Sequence, residues 1–258
     1  MIYSTRGLHY LRSSLLPVPH GMFARTGGHS TGAHASLNFS LHVHDNQQKV
    51  LLNRQLAREE LGLTHLASAH QVHGNAIQVV TENTNQEYTG YDALITNRKG
   101  VGLLIQQADC QAVLLYDPIK QVIGAVHCGW RGSVCQVLAH TIERMQVEYR
   151  VHPRNLRAVI SPSLGPCCAQ FIHYQKELPR WMHAYQVRRG FFDFWAISRV
   201  QLVHTGVPRN QIETAGLCTK CSQEFFSYRQ DLALGRPYGG RGGSIIGLPE
   251  RASGEELK

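Results

Sequence analysis

The chain has 258 residues, 43% hydrophobic and 17% charged, enough apolar side chains for a sizeable core and unlike the composition of a disordered protein. Its net charge of +8 is spread over singly placed Lys and Arg with no run of five or six, which argues against a nucleic-acid partner and fits small anionic substrates. No apolar stretch has signal-peptide or membrane-span length, and seven cysteines, two of them adjacent, do not make a secreted disulfide framework, so a soluble cytoplasmic protein with no membrane partner is expected.

In chain order, His20 to Ser40 is rich in Gly, Ser, Thr and His and reads as an ordered loop of functional length. Asp45 is placed to cap a helix over Gln47 to Glu60, with Val50, Leu51 and Leu56 inward and Gly62 as its stop. Short apolar runs follow at Ala76 to Val80, Ala93 to Thr96, Val101 to Ile105, Ala112 to Tyr116 and Val122 to Val126, each bounded by turn residues, and read as strands of one sheet.

After Gly129 to Gly132 the spacing of Val134, Val137, Leu138, Ile142 and Met145 predicts a helix capped by Ser133 and running to about Arg150. A strand over Leu156 to Ser161, the PSLGPCC turn and a mixed helical stretch with Trp181 and Trp195 come next, and Ala252 to Lys258 reads as a frayed tail. The irregular order predicts an α+β fold, one layered domain over residues 1–258 with mixed β-sheets flanked by helices.

Fifteen histidines, several beside cysteines, point to metal chemistry. AHQVHGN, QQADCQAVLLYD and VHCGWRG each fall at a strand edge or a turn, where side chains can converge in a cleft. Imidazole and thiolate are the usual ligands of zinc, and three protein ligands with an open fourth position mark a catalytic site. Spacing alone leaves His70 and His73 as alternatives, and leaves open a thiolate–imidazolium pair of Cys110 and His127 in a cysteine hydrolase.

QVHG, ADC followed by an apolar strand and Asp117, AVHCGWRG, GPCC and CTKCSQEFFSYR, in that order, resemble the signature segments of the multicopper polyphenol oxidase (laccase-domain) family. That family is also described as purine nucleoside phosphorylases with adenosine deaminase activity, with one branch a peptidoglycan editing factor. The resemblance runs from about His20 to Leu248. It implies a zinc site of His73, Cys110 and His127, with His70 as a neighbour, and small-molecule substrates: phosphate and a purine nucleoside such as adenosine, inosine or methylthioadenosine. Hydrolysis of a cell-wall precursor and a non-catalytic metal-binding role are alternatives. Copper oxidase chemistry is disfavoured, because only four methionines occur and none lies in these motifs to serve as an axial ligand.

Beside the metal, Asp109 is expected to carry a proton to the leaving base. Arg131, at a predicted helix N-terminus, is expected to bind phosphate, with Arg25 and Ser30 of the Gly-rich loop completing the pocket. Cys218 and Cys221 read as a structural pair of thiols, and Cys167 and Cys168 as packing residues of a turn. Phe225, Phe226 and Tyr228 read mainly as core, with one available to line a nucleoside pocket. Two departures from the family pattern bear on substrate choice: His44 stands where glycine is more common, and Gly247 where tryptophan is.

Overall fold

The computed structural model describes residues 2–5, 7–236 and 238–250; the expected frayed tail lies outside them. The strands are β1 (Ile2–Thr5), β2 (Leu8–Leu11), β3 (His20–Phe23), β4 (His65–His70), β5 (Ile77–Val79), β6 (Glu87–Thr89), β7 (Ala93–Thr96) and β8 (Val101–Gln107). They continue as β9 (Gln111–Asp117), β10 (Val122–Cys128), β11 (Arg157–Ile160), β12 (Gln186–Arg188), β13 (Phe191–Phe192), β14 (Ile212–Thr214) and β15 (Gly242–Gly247). The helices are α1 (Gln47–Glu60), α2 (Trp130–Val134), α3 (Val137–Tyr149), α4 (Tyr174–Glu177), α5 (Phe194–His204) and α6 (Tyr228–Ala233).

The fold is α+β, with mixed parallel and antiparallel sheets. One sheet has the order β1-β2-β3-β15-β8-β4-β6, a second β14-β11-β9-β10-β7-β5, and β12 pairs with β13. The strands expected in one sheet are therefore divided: β8 belongs to the first and β5, β7, β9 and β10 to the second. The chain crosses between sheets in the three residues after Gln107, so a run of adjacent apolar strands did not mean a common ladder.

Side chains alternate across the strands and fill three layers. Leu103 and Ile105 of β8, Leu114 of β9 and Ile123 and Ala125 of β10 meet in a core shared by both sheets. On the outer face of the second sheet, Val113, Leu115, Val122 and Val126 pack on Leu138, Ile142 and Met145 of α3. On the outer face of the first, Phe23, Leu104 and Ile245 pack on Leu37, Phe39, Ala57 and Leu61.

Local chemistry explains the departures. His20–Phe23, expected in the loop, is a fully buried strand paired with β2 and β15. Helix α1 keeps its expected bounds, but its cap is Asn46, whose side chain accepts from the Lys49 amide at 3.1 Å. Asp45 is drawn away by Asn38 Nδ2, which donates to it at 2.8 Å. The inner face is Val50, Asn53, Arg54 and Ala57, while Leu51 is exposed, because Asn53 holds the Gly-rich loop through His29, Ser30, Ser36 and Asn38.

The helix expected from Ser133 to Arg150 starts earlier and is broken: α2 begins at Trp130, and Gln136 adopts φ 56 before α3. Ser133 lies within α2 and donates to the Gly129 carbonyl at 3.2 Å. Among the described residues no helix is long and apolar enough to cross a membrane.

Candidate functional site

The β9–β10 register pairs His127 with Ala112 and Cys128 with Gln111, which brings the end of β10 beside Cys110 in the crossover from β8. His73 enters from the turn after β4, at φ 62. The ligand atoms of His73, Cys110 and His127 lie within 4.8 Å of one another, and the two imidazoles meet edge-on with ring centroids 4.8 Å apart. The side-chain alternation of β10 turns the neighbouring Cys128 to the opposite face, where burial pushes its thiol up to about 12.

Asp92 organises this group. Fully buried at the foot of β7, its carboxylate accepts from the amides of Val72 (3.2 Å), His73 (2.9 Å) and Gly74 (2.7 Å) and from Nδ1 of His127 (2.8 Å). An ionised carboxylate only accepts, so Nδ1 carries a proton and Nε2 is the atom that faces the cluster, donating to Cys110 in the imidazolium and able to offer a lone pair to a metal once deprotonated. One residue thus fixes the turn that carries His73 and the tautomer of His127.

Burial opposes charge on both Cys110 and His127, but their mutual attraction and hydrogen bonding outweigh it, holding the Cys110 thiol near 6 and raising His127 to about 9. Two imidazoles, one thiolate and a buried carboxylate behind one imidazole are a donor set suited to a metal that accepts nitrogen and sulfur ligands.

The cluster forms one wall of a cavity of about 590 Å³. His42 and His70, stacked with centroids 3.9 Å apart, line another side, and His42 is anchored on Glu87 at 2.6 Å. Asp109 and Arg131 also face the cavity, with Phe171 and Tyr228. Phe225 and Phe226 are buried, so Tyr228 is the member of that aromatic trio that reaches it.

Both Asp109 oxygens are engaged: one accepts from Thr219 Oγ1 and the other from the Arg229 amide, each at 2.6 Å. Arg131 is the second residue of the five-residue α2 and lies over the Trp130 ring at 5.0 Å.

Arg25 and Ser30 do not line the cavity. The Arg25 guanidinium donates twice to the Ala35 carbonyl and lies 4.7 Å over Phe226, and Ser30 is buried against Asn53; both hold the loop together. Arg229 and Arg241 line the cavity instead, and neither was expected there, although Arg229 closes the CTKCSQEFFSYR segment. Asp92 was missed too; its only mark is a lone acidic residue in front of an apolar strand.

His44 adopts φ 60, the left-handed conformation that favours glycine, and its ring meets Tyr238 edge-on. At Gly247 the space for a larger side chain is filled by Leu63, whose Cδ2 stands 2.4 Å from where a Cβ would be.

Away from the cavity, Cys167, Cys168, Cys218 and Cys221 do not form two separate packing pairs. They converge, with all four sulfurs within 4.8 Å and Cys167 and Cys221 exposed.

The chain is 35% identical over 257 residues to a purine nucleoside phosphorylase of Deinococcus radiodurans, covering 95% of each. It is 32% identical over 233 residues to purine nucleoside phosphorylase YlmD of Geobacillus stearothermophilus, covering 82% of this chain and 84% of that one. The crystal structure of YlmD from the same organism superposes with a TM-score of 0.86 at 29% identity, covering 96% of this chain and 98% of that one. A hypothetical protein YfiH of Bacillus licheniformis gives 0.84 at 30% identity with the same coverage. With residues 19–248 also matching the family described as multi-copper polyphenol oxidoreductase laccase, the chain belongs to that family.

Proposed function

We propose that the chain is a zinc-dependent purine nucleoside phosphorylase that takes adenosine, inosine and methylthioadenosine, with deamination of adenosine as a second activity of the same cavity. The observation that carries this reading is the joint lining of one cavity by the His73–Cys110–His127 cluster, three arginines and aromatic rings. The names of the relatives from Deinococcus radiodurans and Geobacillus stearothermophilus point the same way.

His73, Cys110 and His127 would hold the zinc, which when bound supplies a Lewis acid able to polarise a phosphate or water oxygen. Arg131, Arg229 and Arg241 offer charge-assisted donors to a phosphate dianion. Tyr228 and Phe171, also in the lining, offer aromatic surface to a flat purine.

In phosphorolysis a phosphate oxygen bonds to the anomeric carbon, the glycosidic C–N bond breaks, and its electron pair leaves with the base. Asp109 delivers the proton that the base takes up. Its bonds from Thr219 and the Arg229 amide occupy one lone pair on each oxygen and aim the carboxyl into the cavity, leaving the others to carry the proton. Arg25 and Ser30 contribute by holding the loop that precedes α1.

Incubation with inosine and phosphate tests this directly: hypoxanthine and ribose 1-phosphate should appear in equal amounts, and their absence from zinc-loaded protein would sink the phosphorylase reading. Ammonia release from adenosine tests the deaminase activity separately.

One observation favours a second reading, a cysteine hydrolase: Asp92, His127 and Cys110 form an orienting acid, a base and a thiolate. In that arrangement His73 only adds a hydrogen bond to the Cys110 thiolate, whereas a metal uses all three side chains as ligands. Rapid alkylation of Cys110 in zinc-loaded protein would favour the hydrolase.

A further inference from the structure

The turn after β11 and the turn after β14 are joined by a parallel bridge between Ser163 and Cys218, in which the Thr219 amide donates to the Ser163 carbonyl at 3.0 Å and the Ser163 amide to the Leu217 carbonyl at 3.2 Å. Gly165 permits this approach, since a Cβ there would stand 2.9 Å from Cys218 Cβ and 2.9 Å from the Trp195 ring. The four cysteines of the two turns gather at this junction. Cys221 Sγ is 3.4 Å from Cys168 Sγ and 3.6 Å from Cys167 Sγ, and all four sulfurs lie within 4.8 Å of one another.

Four thiolates on a tetrahedral zinc, each at about 2.3 Å, stand roughly 3.8 Å apart. Two of the separations, 3.4 and 3.6 Å, fall just short of that distance and all lie within 4.8 Å, so a metal needs only small side-chain adjustments. A disulfide would require one pair to close to about 2.05 Å and would leave the other two thiols free or in need of a second such closure. The surroundings also suit a charged cluster: Arg188 donates to the Cys167 carbonyl at 3.1 Å, and Lys220 lies between Cys218 and Cys221.

We infer that Cys167, Cys168, Cys218 and Cys221 form a second, structural zinc site of four thiolates, closed to substrate and separate from the His73–Cys110–His127 cluster. Soft tetrahedral sulfur ligation selects zinc or iron over hard cations, and binding releases the thiol protons to solvent. The site ties together the two turns that brace the proposed proton carrier: Thr219, next to Cys218, donates to Asp109, and the Leu164 amide donates to the Asp109 carbonyl at 2.8 Å. This inference does not depend on the nucleoside reading.

The test is metal content in reducing buffer. The full chain should hold two zinc ions, Cys221→Ser one and Cys110→Ala one. A parent with a single zinc that Cys221→Ser retains and Cys110→Ala loses would overturn the second site while leaving the first intact.

If Cys221→Ser does not fold, the parent still gives an answer through alkylation mapped by mass. Cys167 and Cys221 are exposed, so their protection in zinc-loaded protein and reactivity after chelation would require a bound metal. Equal reactivity in both states, or a disulfide among the four in protein kept reduced, would refute it.

Discussion

A buried carboxylate that accepts from three backbone amides and an imidazole has no spare capacity, and Asp92 is in that position. Asp92→Asn puts an amide donor against donors, and it should weaken metal binding at His73–Cys110–His127 by about 10- to 100-fold, read as a zinc dissociation constant by chelator competition. An unchanged constant would mean that the turn and the imidazole hold themselves.

Gly129 probes the same centre from the other side. Its φ of −78 suits any residue before α2, so Gly129→Ala has no backbone cost, but its Cβ would stand 2.8 Å from Cys110 Sγ. The variant should lose zinc affinity while its melting temperature stays close to the parent's. The His73–Cys110–His127 cluster was legible through the resemblance carried by QVHG, ADC and AVHCGWRG, which singled out His73 where spacing alone left His70 open, and the structure brings the three together. Arg229 and Arg241 were not legible, since an arginine reaches a cavity only through packing that brings distant turns together.

At the scale of elements, local chemistry decided what could be read. The run Ala93–Thr96 stands between Asp92 and Asn97, and strand β7 has those bounds. By contrast, β4 (His65–His70) has no β-branched residue and β15 (Gly242–Gly247) is half glycine, so neither carries a strand signal. The broken helix at Gln136 was hidden because Val134, Val137 and Leu138 keep helical spacing across the break. The cap of α1 offers a local check: Asn46→Ala removes the acceptor for the Lys49 amide and should cost about 1 kcal/mol in urea unfolding. Asp45→Ala should disturb the Asn38 contact instead.

Over the whole molecule, a core drawn from both sheets predicts one unfolding transition; two separated transitions would make the sheets independent units. Its pH dependence follows from three groups. Glu87, paired with Arg54 at 2.6 Å, has its carboxyl pulled from 4.5 to about 2, against the opposing effect of burial. Its contribution, on the order of 3 kcal/mol, is present above about pH 4.5 and lost as pH falls toward 2. In metal-free protein His127 is raised from 6.5 to about 9, which alone would lose its contribution as pH rises through 9, but Cys110 is lowered from 9.0 to about 6 and gains over the same range, so between pH 6.5 and 9 the two offset each other. Stability of the metal-free chain should therefore rise between about pH 2 and 4.5 and then stay level through neutral pH, as urea unfolding at several pH values would show, and a loss of stability between pH 6.5 and 9 would contradict the thiolate–imidazolium pair.

The central claim is that the three-ligand cluster is where a purine nucleoside meets phosphate. It is tested most directly by the rate of phosphate-dependent hypoxanthine release from inosine, measured side by side for zinc-loaded parent and Cys110→Ala. Turnover by the parent and none above background by the variant is the expected result; a variant that keeps the parent's rate would contradict it.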